Sequence, residues 1–145
     1  LQQALLQLPE QMRRKTLRRA LRQGAALVRD EARRLAPRES GLLAKSIAVA
    51  SSRGSRRRGS VAYKVGLRRR AFYGRFVEFG HISPPGRKGL RGGERRRAAQ
   101  REALRGAGRF VPPEPFMRPA ADKLPDALRH ITETVRAALR DGSYR

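Results

Sequence analysis

The sequence lacks cysteine and tryptophan altogether and has few acidic residues, with 12 Asp and Glu against 35 Lys and Arg. Without cysteine the chain can form neither disulfides nor thiolate metal sites, and the sequence does not indicate its redox compartment. Only His81 and His130 are available as nitrogen ligands or as proton shuttles near neutral pH. No run approaches the roughly 20 consecutive apolar residues that cross a bilayer, and we expect no leader before the first predicted helix. We expect a soluble cytoplasmic protein without a metal or other cofactor.

The sequence also lacks a recognisable catalytic arrangement. His81 has no carboxylate at motif spacing that could orient it, and His130 has Glu133 about one helical turn further on, as in ordinary surface pairs. The fingerprints of a P-loop, of a dinucleotide site and of paired zinc-binding histidines are missing from the sequence. We therefore expect no catalytic residues and no enzymatic activity.

What the sequence does contain is positive charge, a formal net charge of +23 in 145 residues. A chain of this length builds one ordinary domain, so we predict a single domain over residues 1–145. Like charge at this density repels itself in the compact state. The protein is therefore expected to act beside a polyanion or an acidic protein surface, with nucleic acid as the first candidate.

Two segments have the periodicity of amphipathic helices, one from about Glu10 to Ala36 and one from about Pro119 to Leu139. Pro37 ends the first, because proline disfavours helical geometry in the residue before it. The predicted apolar stripes are Leu17, Leu21, Gly24, Val28, Ala32 and Leu35 in the first helix, and Leu124, Leu128, Ile131, Val135 and Leu139 in the second. We expect these stripes to form the core, so that Leu128→Ala destabilises more than Val28→Ala.

The opposite side of the first helix is cationic and carries Lys15, Arg18, Arg22, Arg29 and Arg33. A basic amphipathic helix can lie on a membrane or enter a nucleic-acid groove. In a small domain it more often packs its apolar stripe on the core and leaves its cations in solvent. We expect the second arrangement, with little effect of Arg22→Ala on stability.

Two strands are predicted, at Ile47–Ala50 and Val61–Val65. Residues 51–60 between them consist of glycine, serine and arginine and predict the tip of a long flexible hairpin. Arg56, Arg57 and Arg58 in this tip either bind phosphate or keep an exposed loop soluble, and the run alone does not decide between these roles.

Half of the eight Phe and Tyr residues lie within Ala71–Gly80, at Phe72, Tyr73, Phe76 and Phe79. Such a cluster belongs to a core or to an interface, and we expect a core.

Residues 84–110 form a basic insertion with few apolar side chains. We expect it to be mobile in the free subunit and ordered, if at all, on a partner. Residues 94–104 contain neither Gly nor Pro and could become a short helix there. The predicted contacts to DNA or to an acidic partner in this insertion are Arg87, Lys88, Arg91, Arg95, Arg96 and Arg97.

The predicted fold is α+β, with two long amphipathic helices packed on a small antiparallel sheet, a long hairpin and this basic loop insertion.

Four short signatures follow one another in a fixed order. They are Ala36-Pro37; Ser40-Gly41-Leu42 with Ser46-Ile47; Tyr73 with Val77-Glu78-Phe79-Gly80; and Pro115-Phe116-Met117-Arg118-Pro119-Ala120. This order resembles the phage minor tail component family, whose members complete the tail and join it to the head. Ser40, His81 and Met117 depart mildly from the family pattern, and the resemblance covers roughly residues 10–140.

The resemblance implies a homo-oligomeric, six-fold ring in the tail or neck of the virion, assembled in the host cytoplasm. Its implied partners are the head connector and the tail terminator or tail tube proteins, with packaged double-stranded DNA passing nearby. The residues that carry the resemblance are Pro37, Gly41, Leu42, Tyr73, Glu78, Phe79, Gly80, Phe116, Arg118 and Pro119. The alternative function is a free-standing nucleic-acid-binding protein without sequence preference.

Several of these residues have direct physical interpretations. Gly41 and Gly80 suit turns with positive φ, and Pro119 suits the first turn of a helix. Phe116 is placed to fix that helix to the core. Glu78 is either an exposed acid or the ion-pair partner of an arginine such as Arg118.

Overall fold

The computed structural model describes residues 1–7, 9–38, 41–52, 60–83, 92–104 and 108–141. The chain forms two compact units. Unit 1 comprises Leu1–Phe72 together with Phe116–Arg145, and unit 2 comprises Tyr73–Pro115. Whether the whole chain behaves as a single domain stays a prediction.

Unit 1 is built around α2, the 26-residue helix Glu10–Leu35, which confirms the first predicted helix. The short helix α1, Gln2–Leu6, precedes it. Helix α2 ends where Ala36 turns to extended geometry, with φ −62° and ψ 135°, as expected for the residue before Pro37.

The buried face of α2 is a row of small residues spaced four apart: Thr16, Ala20, Gly24, Val28 and Ala32. The predicted stripe included the last three of these but not Thr16 or Ala20, and its leucines are only half-buried. The reason is the close approach of the last helix, since a Cβ at Gly24 would lie 2.5 Å from a side-chain carbon of Ile131. Leucines would not fit where two helices come this near.

The last predicted helix is present, but it is divided into three parts. Helix α6 covers Met117–Ala120, a 3₁₀ turn covers Ala121–Lys123, and helix α7 covers Leu124–Asp141. Pro119 lies in the first turn of α6, as predicted.

The predicted apolar face of α7 is partly wrong. Ala127 and Val135 are buried and Ile131 is half-buried, whereas Leu128 is 61% exposed and Leu124 is 51% exposed. Ala127 fits the space beside α2, because its backbone carbonyl lies 3.1 Å from where a Cβ at Gly24 would be. Ala127 is thus buried at the contact with α2, whereas Leu128 lines an open apolar cleft beside that contact, together with Leu21 and Val28 of α2.

A β-hairpin completes unit 1. Helix α3, Leu42–Ser46, leads directly into β1, Ile47–Ser51, which pairs antiparallel with β2, Tyr63–Leu67. The register runs from Ile47 opposite Leu67 to Ser51 opposite Tyr63. The first strand is confirmed, and the second begins two residues later than predicted. Of the predicted hairpin tip at 51–60, residues 53–59 lie outside the described residues, and Ser51 belongs to β1.

The core of unit 1 centres on Phe116 and Ile47, neither of which has exposed surface. This confirms the prediction that Phe116 fixes the last helix to the core. Every buried hydrophobic residue described in the chain lies in unit 1: Ala20, Val28, Ala32, Ala36, Leu43, Ile47, Ala71, Phe116, Ala120, Ala127 and Val135.

Unit 2 consists of short elements. Helix α4 covers Gly74–Phe79, and β3, His81–Ser83, pairs antiparallel with β4, Arg109–Val111. This second ribbon was not predicted. Helix α5, Gly92–Leu104, is found where the sequence allowed a helix at 94–104. That this helix forms only on a partner stays a prediction, and residues 84–91 and 105–107 lie outside the described residues.

The fold is thus α+β, with two long helices and small antiparallel sheets, as the sequence predicted. Within the described ranges, no helix has both the length and the apolarity needed to span a membrane.

Candidate functional site

Helix α2 carries two groups of arginines that differ in their contacts. In its C-terminal half, Arg29 donates to both carboxylate oxygens of Asp30 at 2.8 Å. Arg33 donates to the Ile47 carbonyl oxygen at 2.8 and 3.2 Å and so fixes α2 to β1. The prediction of solvated cations is wrong for Arg33, because the fold brings the Ile47 carbonyl within its reach, whereas Arg29 pairs with its neighbour Asp30 at an exposed position.

Arginines in this half of α2 also lower the pKa values of neighbouring carboxyl groups. The hydrogen bond from Arg29 lowers the pKa of Asp30. Arg34 donates to Glu31 at 2.7 and 2.9 Å, and this hydrogen bond lowers the pKa of Glu31. Both carboxylates therefore stay charged at neutral pH, and the cations beside them are already neutralised.

The N-terminal half of α2 has cations without such acceptors. Arg13, Arg18, Arg19 and Arg22 have neither a hydrogen-bond acceptor nor an ion-pair partner among the described residues. The last three are exposed. Arg18 and Arg22 lie one turn apart on the helix and so point in nearly the same direction. This half of the helix is available to bind an external anion.

A cleft of about 320 Å³ lies between Arg18 and Arg22 on one side and the β-hairpin on the other. We call it the hairpin cleft. It is lined by Arg18, Arg22, Val49, Ser51, Ser60, Val61, Ala62 and Tyr63. This lining contains two guanidinium groups, three hydroxyl groups and no carboxylate. Guanidinium and hydroxyl groups donate hydrogen bonds, so the lining is suited to an anion.

A second cleft of about 370 Å³ lies between α2 and α7 and is lined by Lys15, Thr16, Arg19, Gln23, His130, Thr134, Ala137, Ala138 and Asp141. The Thr16 hydroxyl is buried there and has no hydrogen-bond partner among the described residues. The Thr134 hydroxyl donates to the His130 carbonyl oxygen at 2.8 Å. Because this cleft contains the carboxylate of Asp141, it is less suited to an anion than the hairpin cleft.

Unit 2 exposes its large apolar side chains. Phe79, Ile82 and Phe110 are each more than 60% exposed, and Phe76 is 43% exposed. Ile82 and Phe110 are cross-strand partners in the β3–β4 ribbon and therefore share one of its faces. We refer to these four residues as the exposed apolar set of unit 2.

The prediction that the aromatic cluster is core is therefore wrong for Phe76 and Phe79, and also for Phe72, which is 67% exposed in unit 1. Tyr73 is half-buried. Helix α4 is only six residues long, and it buries Gly74 and Glu78 instead of its aromatic rings.

Two glycines allow neighbouring atoms to approach the backbone closely in the turn and ribbon of unit 2. Gly80 has φ +72°, and a Cβ there would lie 2.8 Å from the Val111 carbonyl oxygen and 3.0 Å from the Pro113 nitrogen. A Cβ at Gly108 would clash with Ile82. Gly41 likewise has φ +65°, so the positive φ predicted for Gly41 and Gly80 is confirmed.

Glu78 is buried, with 4% of its surface exposed. It is therefore not an exposed acid. A buried carboxylate is costly without partners, and Glu78 does have an interaction partner. Its pairing with Arg118, which is exposed in α6, stays a prediction.

His81 is half-buried, and its ring lies 5.5 Å from the ring of Phe76, centroid to centroid.

Most of the predicted contact residues cannot be placed. Arg56, Arg57, Arg58, Arg87, Lys88 and Arg91 lie outside the described residues, and for Arg95 the structure describes the backbone in α5 but not the side chain. Arg96 and Arg97 are exposed on α5. The sequence interpretation assigned the contacts to loops and so missed the hairpin cleft, although the i, i+4 spacing of Arg18 and Arg22 was a usable signal.

The remaining motif residues have structural positions. Pro37 follows α2 and is half-buried, and Leu42 begins α3 with 46% of its surface exposed. No group of three or more His, Asp or Glu residues that could hold a metal ion occurs in the part of the chain that the structure describes.

Basic clefts, exposed aromatic side chains and a small core define a small basic α+β protein whose prominent surface features are suited to binding. The model of the HK97-gp10-like family, a bacteriophage tail component, matches residues 1–80. The chain belongs to this family and is thus a bacteriophage tail component, a protein of the virion. No curated protein and no solved structure matches it.

The match extends from α1 to Gly80 and includes three of the four signatures described above. The fourth signature, Pro115–Ala120, lies beyond it. Its assignment rests on the resemblance and on the buried position of Phe116.

Proposed function

We propose that this tail component completes the phage tail and joins it to the head connector as a six-fold ring, without catalysing a reaction. Membership of the tail-component family supports a structural role beside other virion proteins. The ring and the joining step follow from the sequence resemblance. The proposed neighbours are the head connector on one side and the tail terminator or tail tube proteins on the other.

The observation that best supports assembly is the exposed apolar set of unit 2. Phe79, Ile82 and Phe110 place most of their surface in water, while Glu78 of the same unit is buried. Large apolar side chains grouped on a small unit are costly in water and mark interaction sites. We propose that a neighbouring subunit of the ring covers them.

The basic residues give the ring a second requirement. Each subunit contributes a formal charge of +23, so ring closure brings strongly repelling subunits together. We propose that packaged DNA or acidic surfaces of adjacent rings neutralise this charge, with assembly in the host cytoplasm. Arg96 and Arg97, exposed on α5, are available for such contacts.

Electron microscopy of the purified chain mixed with isolated tails tests the proposal. The expected result is rings or caps at the head-proximal end of the tails. A featureless coat on added DNA, with no caps, would instead favour the free-standing nucleic-acid-binding protein, which the charge alone supports.

A pair of variants tests the role of unit 2 in the same assay. Phe110→Ser removes an apolar side chain that is 64% exposed, and Leu128→Ser removes one that is 61% exposed in unit 1. We expect Phe110→Ser to abolish ring formation and Leu128→Ser to preserve it. Loss of rings only in Leu128→Ser would place the subunit contact on α7 and contradict the role given to unit 2.

A further inference from the structure

The hairpin cleft combines three features that are not explained by the stability of unit 1. Arg18 and Arg22 line it, both are exposed, and neither has an acceptor among the described residues. By contrast, Arg29 and Arg33 on the same helix are bound by acceptors within unit 1. The fold thus uses one group of arginines for its own stability and leaves the other free at a cleft.

The opposite wall of the cleft adds hydroxyl donors. Ser51 ends β1, and Tyr63 begins β2 directly opposite it in the register. Because side chains alternate along a strand, Ser51 lies on the same face of β1 as Ile47, which is buried against the rest of unit 1. The wall facing Arg18 and Arg22 therefore carries no charge, and it places the hydroxyl groups of Ser51, Ser60 and Tyr63 among apolar side chains.

This chemistry fits a phosphate group. Arginine forms paired, charge-assisted hydrogen bonds to phosphate oxygens, and hydroxyl groups can donate to the oxygens that remain. The helical rise of about 1.5 Å per residue separates Arg18 and Arg22 by about 6 Å along α2, so the two guanidinium groups can converge on one phosphate or bind two successive ones.

We propose that the hairpin cleft binds backbone phosphates of double-stranded DNA through Arg18 and Arg22. The proposal rests on the function proposed above only in that a tail component meets the packaged genome. Duplex DNA is favoured over an acidic protein because Lys15 and Arg19 continue the positive charge along the adjacent side of α2, which suits a long, regularly charged polymer. Since neither base-reading groups nor a groove-reading motif are involved, the binding is independent of DNA sequence.

The first test compares two double variants of the full chain by titrating binding to a fluorescent DNA duplex with salt. Arg18→Gln with Arg22→Gln removes the cleft arginines. Arg136→Gln with Arg140→Gln removes two exposed arginines at the same spacing on α7, which line none of the clefts described above. Each phosphate contact contributes about −0.9 to the slope of log K against log salt. We expect the cleft variant to lower the magnitude of the slope by up to about 2 units and the control to lower it by less than half as much.

The second test changes the opposite wall without touching an arginine. Ser51→Asp places a carboxylate in the cleft, whereas Ala50→Asp makes the same charge change at an exposed position on the other face of β1. We expect Ser51→Asp to weaken DNA binding at least about tenfold, a difference of about 1.4 kcal/mol. Ala50→Asp should weaken it far less.

Equal effects of the paired variants, or no effect of either cleft variant, would overturn the proposal, because binding would then depend on charge spread over the whole surface. So would a cleft variant that loses binding to poly-glutamate but keeps its DNA slope, since the cleft would then serve an acidic protein. These assays use the free chain and do not require rings. Their failure therefore leaves the micrograph test of tail joining unaffected.

Discussion

The two units of the chain bury opposite kinds of side chain. Unit 1 encloses Phe116, Ile47 and a row of small residues on α2, and it leaves arginines in solvent. The described part of unit 2 buries a carboxylate and exposes its phenylalanines. The difference indicates that unit 1 is stabilised by its own core, whereas unit 2 exposes apolar side chains, which we propose a neighbouring subunit covers. The predictions below test this contrast.

The largest expected difference is between two phenylalanines, one in each unit. Phe116→Ala should lower the free energy of unfolding by about 3–5 kcal/mol, because it empties a fully buried site. Phe110→Ala should change it by less than about 0.5 kcal/mol, because that ring is mostly in water already. Urea denaturation of the isolated chain measures both, and similar losses in the two variants would contradict the contrast.

Unit 2 should nevertheless depend on the backbone geometry of Gly80. Gly80→Ala should destabilise by about 1–3 kcal/mol, because the new Cβ would meet the Val111 carbonyl oxygen and the φ of +72° disfavours alanine. Hydrogen exchange at the β3–β4 amides should accelerate more than exchange in α2. Gly66→Ala is a suitable control, since a Cβ there meets nothing within 4 Å. Unchanged exchange in the Gly80 variant would show that the turn tolerates a side chain.

Within unit 1, the exposure of Leu128 on α7 reverses the order of stability losses that the sequence predicted for two truncations. Val28→Ala should cost about 1–2 kcal/mol, at about 0.8 kcal/mol for each buried methyl or methylene group. Leu128→Ala should cost less, because the side chain is 61% exposed. Thermal unfolding of the two variants decides the order, and a larger loss for Leu128→Ala would restore the face predicted from the sequence.

The smallest expected effect is the loss of folding stability at acidic pH. Hydrogen bonds from arginine lower the pKa of Asp30 and of Glu31 below their ordinary values of 3.8 and 4.5. Their folded-state pKa values thus lie below the unfolded ones. The resulting stability is present above this range and is lost as the pH falls through it. We expect the denaturation midpoint to fall modestly between pH 6 and pH 3.

Asp30→Asn should reduce that pH dependence slightly. Asp122→Asn, which removes a carboxylate without an ion-pair partner among the described residues, should reduce it less. A stability that is independent of pH over this interval would mean that the pairs contribute nothing measurable, as is common for exposed ion pairs.

The sequence predicted the positions of the helices better than it predicted which of their side chains are buried. Apolar spacing and the geometry before Pro37 were enough to place α2, and Phe116 was correctly expected in the core. The choice between Ala127 and Leu128 depends on how closely α7 approaches Gly24, a distance between residues far apart in the chain. Periodicity within one helix does not contain that distance.

The candidate site was predictable only in its charge. The sequence shows that α2 is rich in arginine, but it does not show that Arg33 reaches a carbonyl of β1 while Arg22 faces a cleft. Likewise, Phe79 was expected to be buried because aromatic rings usually are. Its exposure reflects the shortness of α4 and the burial of Glu78 instead.

The discontinuity of unit 1 has a consequence for synthesis on the ribosome. Residues 73–115 separate its two parts, and Phe116, Ala127 and Val135, which complete the core, are translated after unit 2. Until they emerge, the nascent chain holds α2 and the hairpin without the helices that cover them, so stable folding is delayed until after unit 2 has been made. The contacts between α2 and α7 join residues far apart in the chain, which predicts slow folding of unit 1.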